Sequence, residues 1–275
     1  MRPEIMGILN ITEDSFSDGG KFLEPQSALN HAKELIDSGA TIIDIGAEST
    51  RPGAVRVPEE TEIARVQKVV TLLKENFQDV RLSIDTMRAS TAKAALDAGA
   101  DILNDVSGGL ADKKMYTVAA QADVPIILMH WQAETFGNAA GVAHSSDTVV
   151  ADVVDGFSTI AESAQAAGIK KENIILDPGL GFAKDADSNW TLIKHFEELT
   201  ALGYPLLIGH SRKRFLQALV PGQGPAPSEA DFPTATVAAL MYSEHPGSSL
   251  WGFRVHNVAA TVSSLAVVDA LKEAH

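Results

Sequence analysis

The sequence predicts an α/β fold, a TIM (β/α)8 barrel forming one domain over residues 1–275, and three observations carry that expectation. Short apolar runs of strand length alternate with helix-period segments about eight times along the chain. Each apolar run ends on a polar residue before a loop rich in Gly, Pro, Ser or Asn. No Gly-x-Gly-x-x-Gly follows the first strand, which weakens an open dinucleotide-binding sheet.

In chain order, Ile5 to Asn10 reads as the first strand. A loop without hydrophobic period follows, then a helix from Pro25 to Ser38 with Ala28, Leu29, Ala32, Leu35 and Ile36 on one face and Gly39 as its stop. Thr41 to Ile45 is the second strand, Gly46 to Pro58 a second loop, and Pro58 to Glu75 the next helix. Val80 to Ile84 runs into Asp85, and a helix from Ala89 to Ala98 stops at Gly99. Asp101 to Leu103 leads into Asn104-Asp105, with a helix over Lys113 to Ala122. Val124 to Met129 ends on His130, and the next helix covers Thr148 to Ala167. Asn173 to Leu176 ends on Asp177, followed by Pro178-Gly179-Leu180-Gly181-Phe182 and a helix from Ser188 to Leu202. Pro205 to Ile208 is the seventh strand and Leu250 to Val255 the last. A helix near Thr234 to Ser243 precedes that last strand, and Asn257 to Glu273 closes the chain.

Asn10, Asp44, Asp85, Asn104, His130, Asp177, Ser211, Arg254 and His256 all fall at or just beyond strand ends. In a barrel those ends converge on one face, where such enzymes keep their sites. A single polar residue there is an ordinary turn former or cap; eight units ending this way point to a site.

The charge balance narrows the partners. Twenty-two basic against thirty-six acidic residues give a net charge of −14, against nucleic acid and anionic membranes as partners. A small anion is still a candidate ligand where a few cations are focused. There is no cysteine, which suits a cytoplasmic protein, and no apolar run of about 20 residues that would span a membrane. The densest cationic stretch is Ser211-Arg212-Lys213-Arg214, delivered by the seventh strand to an expected helix start. Three cations there oppose the helix dipole, and an anionic ligand would compensate them. A solvated basic turn is the alternative.

Lys213, Arg254 and His256, helped by Arg51, can hold a polyanion such as a diphosphate, with Asn10 offering oxygen to a hydrated Mg²⁺. Asp85, Asn104 and Asp177 are acceptors suited to a flat nitrogen heterocycle rich in N–H donors, and a carboxylate there would stabilise positive charge developing on that ring. No Gly-x-Ser-x-Gly or His-Glu-x-x-His occurs, and His130 reads as a wall residue rather than a ligand. The set suggests displacement of an anionic leaving group from a heterocyclic carbon, without a covalent nucleophile.

Met6-Gly7-Ile8-Leu9-Asn10-Ile11-Thr12 with Asp14-Ser15-Phe16-Ser17-Asp18-Gly19-Gly20 resembles the first signature of dihydropteroate synthases, and Glu48-Ser49-Thr50-Arg51-Pro52-Gly53-Ala54 resembles the second. Ser83-Ile84-Asp85-Thr86, Asn104-Asp105, Leu176-Asp177-Pro178-Gly179-Leu180-Gly181-Phe182, Ser211-Arg212-Lys213 and Arg254-Val255-His256 are similar to the remaining blocks, in order. The resemblance implies condensation of p-aminobenzoate with 6-hydroxymethyl-7,8-dihydropterin diphosphate, with Mg²⁺, in a homodimer formed through the outer helices near the C-terminal end. It implies that Asp85, Asn104, Asp177 and Lys213 hold the pterin, and that Asn10, Arg254 and His256 hold the diphosphate and its metal. Thr50, Arg51, Pro52, Phe182, Lys213 and Arg214 would line the p-aminobenzoate site. Asp18 would support the cation left when diphosphate departs, with Asp85, Lys213 and Arg254 completing the catalytic set. The loops from Ile11 to Lys21 and Ala47 to Val57 are expected to order over the ligands.

The chain departs from the family pattern at Glu13 (often Pro), Arg214 (often Ser) and Asn257 (often Asp), and Asp231 to Thr236 lacks the arginine of Arg-Asp-x-Ala-Thr. It also begins almost at its first strand, without the hairpin that usually plugs such a barrel, so a plug is expected to come from elsewhere or to be absent. A methyltransferase acting through a pterin-linked carrier and a catalytically silent pterin-binding paralogue are the competing readings. The Thr50-Arg51-Pro52 loop and the diphosphate cations speak against both.

Overall fold

The computed structural model describes residues 2–12, 25–48, 57–131, 145–222, 226–245, 247 and 249–274. Eight parallel strands close into a barrel in sequence order: β1 (Glu4–Asn10), β2 (Ile42–Gly46), β3 (Arg81–Asp85), β4 (Ile102–Asp105), β5 (Ile126–Met129), β6 (Ile174–Asp177), β7 (Leu206–Ile208) and β8 (Leu250–Val255). The surrounding helices are α1 (Pro25–Asp37), α2 (Glu59–Asn76), α3 (Ala89–Asp97), α4 (Met115–Ala122), α5 (Val149–Ala166), α6 (Ala186–Lys194), α7 (Phe196–Thr200), α8 (Arg214–Gln217), α9 (Asp231–Glu244) and α10 (Val258–Glu273). The expected helix from Ser188 to Leu202 is two helices, broken at His195. There φ is −103° and ψ 31°, and the N–H still bonds back to the Thr191 carbonyl.

Alternation along each strand divides the apolar side chains into two cores. The larger lies outside the strands and packs Ile43, Ile84, Leu128, Leu176 and Phe253 against the helices. The smaller lies inside the barrel and comprises Met6, Ile42, Ile102, Ile127, Ile175 and Leu207. Trp251 packs against this inner cluster. The β7–β8 register slips beside it: Leu206 faces Leu250, but Leu207 faces Gly252. The extra residue in β8 is Trp251, and a bulge of this kind re-aims a side chain. A Cβ at Gly252 would stand 2.8 Å from the Glu4 carbonyl oxygen, so only glycine fits beside the indole. The chain's own strands therefore fill the bottom of the barrel, and a Glu4–Arg81 ion pair of 2.6 Å lies at the same end.

Candidate active site

Above the inner apolar layer the barrel turns polar. Asp44 is not at a strand end as its sequence position suggests; it sits in the middle of β2, fully buried, two residues below Gly46. Arg254 reaches down to it from β8: Nε donates to Asp44 Oδ2 at 2.6 Å and Nη2 donates to Asp85 Oδ2 at 2.7 Å. Asn104 Nδ2 donates to the same Asp44 oxygen at 3.1 Å. Four strands thus meet in one network, with Asn104 Oδ1 left as an acceptor. Asn10 and Asp85 flank Gly46, at 3.6 and 3.7 Å from where a Cβ would stand, so the absent side chain keeps that corner open.

Burial sets the titration of this group. Burial pushes Asp85 up to about 7; Arg254 opposes the rise, and Asp44, Asp105 and Glu62 add to it. For Arg254, burial works against the charge, but Asp44 and Asp85 more than offset it and hold its pKa above the ordinary value. Asp105, the neighbour of Asn104, faces away from the mouth. Its carboxylate accepts from Ser107 N and Oγ at 2.8 and 2.6 Å and from Gly109 N at 2.9 Å, so it shapes the turn.

The opposite wall is the loop after β6. Asp177 Oδ1 accepts from Gly179 N at 2.7 Å, and Oδ2 points at the bare face of Gly209, where a Cβ would stand 3.1 Å away. Gly179, Gly181 and Ala183 all adopt positive φ (67°, 75° and 51°), a run of left-handed residues that costs energy at the alanine. The run is pinned from beneath: Asn189 Oδ1 accepts from Gly181 N at 2.6 Å, and its amide donates to the carbonyls of Lys184 and Asp185. Gly181 is required because a Cβ there would stand 2.7 Å from Lys213 Cδ. This close passage sets the Lys213 ammonium 3.8 Å from the centre of the Phe182 ring, a cation–π contact. Trp131 packs beside Phe182 at 5.8 Å. Burial lowers Lys213 to about 8; Arg254 adds to the drop, while Asp177 and Asp85 oppose it.

One of the three cations in the turn after β7 is compensated from within, which corrects the expectation that an anionic ligand must balance all three charges. Arg212 (φ 58°) turns away and makes a two-pronged ion pair with Asp231, at 2.7 and 2.8 Å. Lys213 caps α8, a helix of only four residues, and Arg214 lies exposed at its first position. Asp231 also accepts from Asn257 Nδ2 at 3.1 Å, while Asn257 Oδ1 caps α10 through Ala260 N at 3.0 Å. The amide at 257 thus serves both partners, where a carboxylate would face another carboxylate.

His256 also differs from its expected part as a cation. Burial, with Arg212 and Arg254 adding, lowers it to about 3, so the ring is neutral near pH 7. Ser211 Oγ accepts from the His256 backbone N–H at 3.1 Å and lies 3.0 Å from Nδ1. When that hydroxyl donates to Nδ1, the ring proton sits on Nε2.

Among the predicted residues, the structure brings Asn10, Asp85, Asn104, Asp177, Phe182, Lys213, Arg254 and His256 to the mouth, with Arg214 on its outer rim. Asp18, Thr50, Arg51 and Pro52, and most of the two loops expected to order over ligands, lie outside the described residues. Sequence reading set Asp44 among the strand-end residues without a role of its own and did not single out Lys184. The polar residue mid-strand in Ile42-Ile43-Asp44-Ile45 was the signal available for the first. Among the described residues no three His, Asp or Glu side chains converge to hold a metal ion by themselves, and no helix is long and apolar enough to cross a membrane.

A closed barrel whose mouth interleaves buried carboxylate and amide acceptors with cations defines a pterin-binding enzyme, and a family model described as pterin binding enzyme matches residues 6–256. A dihydropteroate synthase of Streptococcus pyogenes serotype M3 is 46% identical over 267 residues, spanning 97% of this chain and 95% of the relative. Two solved structures of the Xanthomonas albilineans enzyme superpose over 100% of this chain. The one with 4-aminobenzoic acid has a TM-score of 0.89, 36% identity and 94% of its own chain covered. The one with 7,8-dihydropteroate has a TM-score of 0.86, 34% identity and 95% covered. The chain belongs to the dihydropteroate synthase family, transferases of folate biosynthesis.

Proposed function

We propose that this chain condenses p-aminobenzoate with 6-hydroxymethyl-7,8-dihydropterin diphosphate by a dissociative displacement at the pterin methylene carbon. The observation that carries the reading is the make-up of the mouth: buried carboxylate and amide acceptors set among Arg254 and Lys213, on a chain that is acidic overall. Asp85, Asn104 and Asp177 receive the N–H edge of the pterin, and Lys213 covers the ring from the side of Phe182. Two of the five Arg254 donors are spent on Asp44 and Asp85, so its remaining edge is the one offered to the diphosphate. His256 adds a neutral N–H donor there.

If the C–O bond breaks before the amine attacks, negative charge grows on the leaving group while positive charge spreads over the ring. Arg254 then stabilises the first and the floor carboxylates the second, a division favouring the transition state over the ground state. Phe182 and Lys213 with Thr50, Arg51 and Pro52 form the p-aminobenzoate side, Arg214 stands at its rim, and Asp18 supports the ring cation.

Mg²⁺ suits this donor set as an ion carried by the substrate diphosphate. Asn10 offers one amide oxygen, and such a cation keeps several waters and takes substrate phosphates. Its charge would ease departure of the diphosphate.

The exposed Leu240 on α9 and Val267 and Leu271 on α10, helices that pack together, support a homodimer through this face. A cytoplasmic location suits the absence of cysteine. The test of the activity is release of diphosphate from the pterin diphosphate, dependent on p-aminobenzoate; release no faster than without protein overturns it.

A further inference from the structure

Lys184 is a buried cation with no part in the scheme above, 9% exposed at the end of the β6–α6 loop. Burying an ammonium is costly unless its donors are met, so its partners indicate its purpose. Nζ donates to the Phe182 carbonyl at 3.2 Å and the Gly179 carbonyl at 3.3 Å, and lies 3.4 Å from His130 Nδ1. An ammonium has three N–H donors, and here there are three acceptors when His130 carries its proton on Nε2. Two of the three belong to residues that hold Asp177. His130 N donates to the Asp177 carbonyl at 2.8 Å, and Gly179 N donates to its carboxylate. The third is the backbone of Phe182, whose ring carries Lys213. The His130 ring is itself wedged against α5, where a Cβ at Gly156 would stand 2.4 Å from Cδ2.

The geometry points to Lys184 as a positioning residue for pterin recognition: its ammonium ties the loop after β6 to the end of β5 and keeps the Asp177 carboxylate aimed toward the ligand, its charge adding to those of Lys213 and Arg254. This rests on the reading that Asp177 receives pterin N–H groups. Three titratable groups face Lys184: Asp177 from β6, His130 from the end of β5, and Lys213 from the turn after β7. Arg254 faces Asp177 from β8. Burial lowers Lys184 to about 7, with Asp177 opposing and Lys213 adding. Burial raises Asp177, against the Gly179 N–H and the charges of Lys213, Arg254 and Lys184. Removing the charge at 184 therefore leaves Asp177 easier to protonate, and a protonated oxygen is a poor acceptor for a ring N–H. The effect has a definite sign in pH. Near pH 6 Lys184 is charged and its loss is felt; near pH 8 it is largely neutral and its removal changes less.

The experiment is calorimetric titration with 6-hydroxymethylpterin between pH 6 and 8, with thermal melts alongside. Lys184→Gln keeps two N–H donors for the two carbonyls but carries no charge. Its affinity should fall about tenfold below wild type at pH 6, and the gap should narrow to about twofold at pH 8. Lys184→Arg, which keeps the charge, should bind within about threefold of wild type at pH 6. Wild-type affinity for Lys184→Gln at pH 6, or an equal loss at every pH, would overturn the inference, since an equal loss marks a purely structural role. Should Lys184→Gln fail to fold, Lys184→Arg decides: a tenfold loss at pH 6 with a native melt overturns the proposal. Asp177→Asn in the same titration tests the underlying reading separately, because unchanged binding there would remove Asp177 from the site whatever residue 184 does.

Discussion

On the β2–β3–β8 side of the mouth, Arg254 lies between Asp44 and Asp85 at 2.6 and 2.7 Å, so its positive charge is met by direct contact. On the β5–β6–β7 side, Asp177 and Lys184 are buried with half-buried Lys213 beside them, yet no ion pair within 4 Å joins the three. Burial shifts titration on both sides, raising Asp85 on the first and, on the second, lowering both lysines and raising Asp177. Ion pairs within the protein fix the first wall, so a ligand gains orientation from it. The second holds charge that contact has not compensated, so a ligand with N–H donors and a negative tail completes it.

The largest effect should come from breaking the first wall. Arg254→Ala leaves Asp44 and Asp85 as buried carboxylates facing each other. It should lower kcat about 10²–10³-fold, the scale for loss of a preorganised donor. It should also cost about 3–5 kcal/mol of stability in denaturant titration, as when one partner of a buried pair is removed. Lysine there should restore charge and part of the stability but only part of the rate, being a point charge without the fork. Wild-type turnover by Arg254→Ala with saturating substrates would refute its place in the site.

On the other wall, Asp177→Asn should weaken pterin binding at least about tenfold by calorimetry. It sets a donor against the ring N–H groups, a mismatch of about 1–3 kcal/mol.

The two walls should separate in pH. Asp85, at about 7, must ionise to accept from the pterin, so kcat/KM rises with pH on the acid limb. Lys213, at about 8, loses its charge on the alkaline limb. The profile should therefore be a narrow bell between about 7 and 8, its limbs belonging to the coupled set rather than to single residues. Lys213→Arg, charged throughout, should flatten the alkaline limb; an unmoved limb would exclude Lys213 as its source. In stability the sign is opposite for Asp85. With its folded pKa raised above 3.8, it favours the folded state most in acid, and that contribution is lost as pH rises through about 7.

The smallest effect belongs to Arg212, which faces neither wall. Arg212→Gly loses the pair with Asp231 but relieves a φ of 58°. Stability should change by less than about 1 kcal/mol and kcat not at all. A tenfold drop in kcat would place Arg212 in the site.

The strand ends were legible in the sequence because they are local: an apolar run stopped by Asp85, Asn104 or Asp177 reads the same in any barrel. Pairings across the barrel were not. Asp44 and Arg254 lie 210 residues apart and meet only through the register that brings β8 beside β1. Lys184 was missed for a related reason. It follows Gly-Phe-Ala in an apparent surface loop, and only the left-handed run at 179–183 turns its amine inward. The same blindness made Arg212 look like part of an anion site, since its partner Asp231 sits beyond a Gly- and Pro-rich segment.

The bulge at Trp251 has an electrical consequence. By turning an indole under Met6, Ile42, Ile102, Ile127, Ile175 and Leu207, it puts a slab of hydrocarbon beneath the charged network and leaves water only above it. Hydrocarbon polarises poorly, so the field of Asp44, Asp85 and Arg254 is screened from one side alone, and its lines leave through the mouth. The bottom of the barrel thus serves as an insulator, directing a chain of net charge −14 to present a locally shaped potential to whatever enters from the top.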